Sequence, residues 1–71
     1  LEVTILDDIL ATGGTAEALA QSLMETPVVK DGTARRVVVK KFVFLVEIDD
    51  LRGAGRLSKI APVASLIHLN D

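Results

Sequence analysis

The residues whose types and spacing could do chemistry fall between positions 3 and 15, Val3-Thr4-Ile5-Leu6-Asp7-Asp8-Ile9-Leu10-Ala11-Thr12-Gly13-Gly14-Thr15. Two adjacent carboxylates, Asp7 and Asp8, suit sugar hydroxyls or a divalent cation that takes oxygen ligands. Gly13 and Gly14 let backbone approach a ligand where a Cβ would stand in the way. If a helix starts here, the N–H groups of Thr12 to Thr15 favour a phosphate, and two threonine hydroxyls add hydrogen bonds. A phosphate and a diol held side by side describe a ribose 5-phosphate. The string is neither a Walker loop, since no Gly-Lys-Ser/Thr follows, nor GxGxxG. A Gly turn after two acids also occurs in ordinary strand-to-helix connections, so the ordered string carries the reading and Gly-Gly alone does not.

Such a loop needs a strand before it and a helix after it. Val3 to Leu6 is an unbroken apolar run, expected as a strand covered on both faces and ended by Asp7. Ala16, Leu19, Ala20, Leu23 and Met24 recur at helical spacing, with Thr15 as the expected N-cap and Pro27 as the stop. Lys30-Asp31-Gly32-Thr33 is a turn by composition. Val37 to Ile48 is β-branched and aromatic, hence one long strand, with Lys40 and Lys41 marking a bend or projection. Residues 49 to 57 are polar and broken by Gly53 and Gly55, a loop with one helical turn. Pro62 to Ile67 reads as a last short strand. Strand, helix, strand is a βαβ unit, so an α/β fold with a parallel sheet is expected.

Composition limits the partners. The chain has 71 residues, 49% of them hydrophobic, with no Cys, Trp or Tyr; only Phe42 and Phe44 supply aromatic bulk. A domain of this size buries about 60% of its unfolded surface, and small independent domains usually rely on disulfides, metal or large close-packed side chains. The chain also opens at Leu1 and enters a strand almost at once. Both features lead to the expectation that residues 1–71 are one piece of a larger domain. A net charge of −2 gives no general case for nucleic acid or an anionic membrane. No apolar run is long enough to span a bilayer, and the absence of cysteine fits a cytoplasmic setting.

Residues 3 to 15 resemble the phosphoribosyl-pyrophosphate (PRPP) motif of the type I phosphoribosyltransferases, and Asp-Asp-Ile-Leu-Ala-Thr-Gly-Gly-Thr is similar to the adenine phosphoribosyltransferase variant in particular. Leu45-Val46-Glu47-Ile48, Leu51-Arg52-Gly53, Arg56-Leu57 and Ser65-Leu66-Ile67 resemble the C-terminal pattern of that family in the same order. The resemblance implies a type I phosphoribosyltransferase-like parallel sheet, C-terminal part only, with the pyrophosphate-binding loop, catalytic loop and base-covering hood lying upstream. It implies transfer of the 5-phosphoribosyl group from PRPP to adenine, giving AMP and pyrophosphate, with Mg²⁺ as cofactor and a homodimer as assembly. Residue by residue, it places Asp7 and Asp8 at the ribose hydroxyls and at Mg²⁺, directly or through water. Ala11, Thr12, Gly13, Gly14 and Thr15 would wrap the 5-phosphate. Ile48 would pack on the base, and Ala11, where 6-oxopurine relatives carry an acid, favours adenine. No catalytic residue is assigned within the segment, and the chain alone is expected to be inactive and unfolded or aggregated. The chain departs from the family at Ala54, where an Arg usually follows the glycine; Gly55-Arg56 restores a base two positions on. Residues 26 to 36 are also longer than the usual connection. A PRPP-sensing regulatory module, or a transferase for another base, is the alternative.

The remaining polar residues have simpler readings. His68, the single histidine, is expected at the surface with no case for a metal. Arg35, Arg36, Lys40 and Lys41 lack interleaved aromatics apart from Phe42 and read as a solvated edge. Glu47 is expected to be buried and paired, and Asp49-Asp50 to cap the following turn.

Overall fold

The computed structural model describes residues 1 to 70. Strand β1 (Glu2–Leu10) leads into helix α1 (Gly14–Glu25), a hairpin of β2 (Val28–Lys30) and β3 (Thr33–Arg35), and the long strand β4 (Val38–Ile48). A 3₁₀ turn (Asp49–Leu51), helix α2 (Gly53–Leu57) and β5 (Val63–Leu69) complete it. β1, β4 and β5 form a parallel sheet in the order β1-β4-β5. Parallel neighbours need crossovers, and α1 and α2 lie in the two crossovers. The parallel α/β expectation holds.

Three local expectations are corrected. β1 does not stop at Asp7, because β4 keeps offering backbone partners as far as Leu10↔Glu47; Asp7 and Asp8 therefore lie within the strand. α1 starts at Gly14 with Gly13 at the N-cap, not Thr15. Gly13 takes φ 84°, and its carbonyl accepts the first helical bond from the Glu17 N–H at 2.8 Å. The third is Leu19, which has helical spacing but stays 48% exposed, because only Ala16 and Ala20 press fully against the sheet.

The turn at Lys30 to Thr33 is a two-residue hairpin. Asp31 and Gly32 sit between the Lys30↔Thr33 pair, both at positive φ, as a type I′ turn requires. β4 forms one long strand as expected, and its bend is a bulge: Val3 pairs with Val39 but Thr4 with Lys41, leaving Lys40 as the extra residue.

Phe42, Phe44, Leu10 and Leu57 are the largest fully buried side chains, and with Ile5, Val39, Ala16 and Ala20 they make one cluster. That core lies between the sheet and α1. The expectation that β1 is covered on both faces fails within this chain, since Leu6 and Leu66 are each 75% exposed and Leu45 is also open. Both helices of the described residues pack on the other side, where the buried side chains gather. No helix is long and apolar enough to cross a membrane.

Candidate functional site

The site is built at the C-terminal end of β1. Leu10 is buried and anchors the strand end. Ala11 to Gly13 then turn the chain into α1. A cavity of about 90 Å³ opens there, lined by Asp7, Ile9, Leu10, the loop Ala11 to Thr15, Ala16 and Phe44. The cavity has room for several waters or a small oxyanion. Since the first helical bond comes from Glu17, the N–H groups of Thr15 and Ala16 have no partner within the helix. The Gly14 N–H donates only a long 3.4 Å bond to Thr12 Oγ1. Gly14, Thr15 and Ala16, whose N–H groups lack a strong partner within the helix, all line this cavity.

Asp7 lines this cavity, and its Oδ1 accepts a bond from the Asp8 N–H at 2.8 Å. Asp7 and Asp8 both border a wider groove of about 340 Å³, with Leu6, Val43, Phe44, Leu45 and Leu66, whereas of the two only Asp7 lines the loop cavity. Ala11, Thr12, Gly13, Gly14 and Thr15 come together as one loop. Ile48 is the last residue of β4, half-buried and in register with Leu69, and does not line the loop cavity.

Support for the loop comes from α2, which the sequence did not point to. A Cβ on Gly53 would run into the Ala11 carbonyl oxygen and would stand 2.7 Å from Leu10 Cδ1 and 3.0 Å from the Gly13 nitrogen. A Cβ on Gly13 would in turn meet the Gly53 carbonyl oxygen at 3.0 Å and Leu57 Cγ at 3.4 Å. Bare backbone packs on bare backbone. The signal was present in Leu51-Arg52-Gly53, but a glycine in a polar segment reads as a turn until its neighbour is known.

A second polar cluster closes the ends of β4 and β5. Glu47 is buried as expected, and its Oε1 accepts from the Ser65 hydroxyl at 2.8 Å. His68 Nδ1 lies 2.8 Å from Asp49 Oδ1 and 3.9 Å from Glu47 Oε1. Asp49 therefore pairs with His68, and no side chain caps the 3₁₀ turn, contrary to expectation. His68 is exposed as expected but not isolated: the Asp49 hydrogen bond raises its pKa, partial desolvation opposes this, and the charges of Asp49 and Glu47 add to the rise. One ligand-type atom from each of Glu47, Asp49 and His68 falls within 4.8 Å of the others, a grouping set up by the Glu47↔His68 register.

No protein-family model matches the chain. Its sequence is, however, 46% identical over 67 residues to the adenine phosphoribosyltransferase of Picosynechococcus sp., covering 94% of the chain and 33% of that protein. It is 39% identical over 66 residues to the enzyme so named in Synechococcus sp., covering 93% and 33%. The Sorangium cellulosum adenine phosphoribosyltransferase is 43% identical over 70 residues, covering 93% and 30%. The chain is similar over nearly its whole length to one stretch of proteins named adenine phosphoribosyltransferase. It spans about a third of the length of the curated relatives it matches. The parallel α/β sheet agrees with the type I phosphoribosyltransferase fold that the sequence leads one to expect.

Proposed function

We propose that the polypeptide containing this chain transfers the 5-phosphoribosyl group of PRPP to adenine, releasing pyrophosphate and forming AMP, and that residues 1–71 form the part of its catalytic domain that grips the donor. The observation that carries this reading is the cavity at the α1 N-terminus with Asp7 on its edge, in a chain similar over nearly all its length to proteins named adenine phosphoribosyltransferase.

The loop N–H groups of Gly14 to Ala16 hold the 5-phosphate, and the threonine hydroxyls orient it. Asp7 accepts from a ribose hydroxyl, with Asp8 next to it. Holding the 5-phosphate and a ring hydroxyl fixes the position of C1, which carries the pyrophosphate, so positioning supplies much of the barrier reduction. Carboxylates near a sugar that becomes cationic in the transition state also stabilise the developing charge. Asp7 and Asp8 fit Mg²⁺, which typically takes one or two carboxylates and fills its shell with water and substrate oxygens. When bound, the ion neutralises charge on the departing pyrophosphate. Ile48 presents an apolar surface to the base.

The test is AMP and pyrophosphate formation from PRPP, adenine and Mg²⁺, with guanine, hypoxanthine and uracil as competitors. AMP formation that the other bases do not suppress is the expected result. PRPP binding without turnover of any base would replace the transferase reading with a sensing one.

A further inference from the structure

The ends of β4 and β5 bring together a second set of groups, apart from the loop after β1. Glu47 and Asp49 flank Ile48, whose backbone is extended (φ −94°, ψ 98°), so their side chains leave the chain on one side. His68 is in register with Glu47 on the neighbouring strand. Its Nδ1 lies 2.8 Å from Asp49 Oδ1 and 3.9 Å from Glu47 Oε1, and the three ligand-type atoms fall within 4.8 Å of one another. None of these residues lines the cavity at the start of α1.

Glu47 is the member that asks for a cation. Its side chain is only 10% exposed, and among the described residues no lysine or arginine pairs with it. A buried carboxylate is costly unless its charge is compensated. The Ser65 hydroxyl, which donates to Oε1 at 2.8 Å, orients the group but brings no charge. Asp49 turns to the same point and leaves the 3₁₀ turn uncapped. With His68 half exposed, the cluster is closed by Glu47 on one side and open to water on the other.

The donor set selects the ion. An imidazole beside two carboxylates suits a first-row transition ion better than Mg²⁺ or Ca²⁺, which prefer oxygen throughout. Zn²⁺ takes histidine nitrogen and carboxylate oxygen at about 2.0–2.2 Å in a tetrahedron, which sets ligand atoms about 3.4 Å apart. The separations of 2.8 and 3.9 Å from His68 Nδ1 straddle that figure. We propose that Glu47, Asp49 and His68 form a Zn²⁺ site that clips the end of β5 to the end of β4, with water as the fourth ligand. The Ser65 hydroxyl holds the Glu47 carboxylate in place for the ion, as hydrogen-bond partners behind metal ligands do.

The test is Zn²⁺ titration of the whole polypeptide that contains this chain, stripped with chelator and kept in excess Mg²⁺ so that Asp7 and Asp8 do not compete. His68→Ala and Glu47→Gln should each weaken Zn²⁺ binding at least tenfold, and Ser65→Ala about tenfold. Glu25→Gln, on α1, should leave it unchanged. Co²⁺ in place of Zn²⁺ should give the intense visible bands of a four-coordinate ion, and His68→Ala should abolish them. Because His68 is exposed, its replacement should leave the metal-free melting temperature near that of the parent, so the loss is one of a ligand and not of the fold. Unchanged Zn²⁺ affinity and an unchanged Co²⁺ spectrum in His68→Ala overturn the inference. Zn²⁺ binding that Asp7→Asn removes and His68→Ala spares overturns it as well.

Discussion

Gly53 packs its α-carbon against the carbonyl oxygen of Ala11, so close that no side chain fits between the start of α2 and the loop after β1. The contact links two segments 42 positions apart and fixes the path of the loop that faces the cavity. Gly53→Ala forces backbone against backbone, since the Ala11 oxygen and the Gly13 nitrogen cannot rotate away as a side chain can. Overpacking of this kind costs about 1–3 kcal/mol. In a small domain that corresponds to a fall in melting temperature of roughly 4–8 °C per kcal/mol. Thermal denaturation of the whole polypeptide that contains this chain, followed by circular dichroism, checks it, and phosphate-ester affinity should fall as well.

Gly13 and Gly32 both take positive φ but differ in surroundings. At Gly32 an added Cβ meets nothing within 4 Å, whereas at Gly13 it meets Gly53 and Leu57. Gly32→Ala should therefore cost only the left-handed backbone penalty, about 1–2 kcal/mol. Gly13→Ala should cost more and also lose ligand binding. Equal losses in the two melting curves would contradict this.

Leu57 is fully buried beside Gly13. Leu57→Ala should destabilise by about 2–5 kcal/mol and loosen the loop from behind. Faster amide exchange at Gly13 to Ala16 than in the parent is the expected signature.

The pair His68 and Asp49 predicts a pH dependence. Because the pKa of His68 is raised in the folded chain, the stabilisation is complete below the ordinary value of about 6.5 and is lost as pH rises through the folded value. Asp49→Asn should bring the His68 titration, read by NMR, back down and remove that part of the pH dependence of the melting temperature.

On the proposed transferase reading, Asp7→Asn or Asp8→Asn in the whole polypeptide should lower kcat/KM for PRPP by about ten- to a hundredfold, the range for a hydrogen bond to a charged group. His68→Ala, a surface change away from the loop cavity, should stay within about twofold.

The sequence by itself determined the local pieces of this protein. Helical spacing marked α1, a run of β-branched and aromatic residues marked the long strand β4, and Asp31-Gly32 marked a tight turn, because these depend on residues a few positions apart. The loop after β1 was legible as a candidate anion site for the same reason: acids, small residues and glycines occur there in one uninterrupted run. Strand ends and helix starts were not, since β1 runs on to Leu10 only because β4 supplies partners, and Gly13 rather than Thr15 ends the loop because its backbone alone can take φ 84°. Tertiary structure decided which distant residues meet. It set Gly53 against Ala11, Arg56 beside Gly14 and His68 beside Asp49, and it left Leu6 and Leu66 on an open sheet face. Each of these follows from strand order and register, which place residues far apart in sequence at the same end of one sheet, and no local pattern of side chains records that.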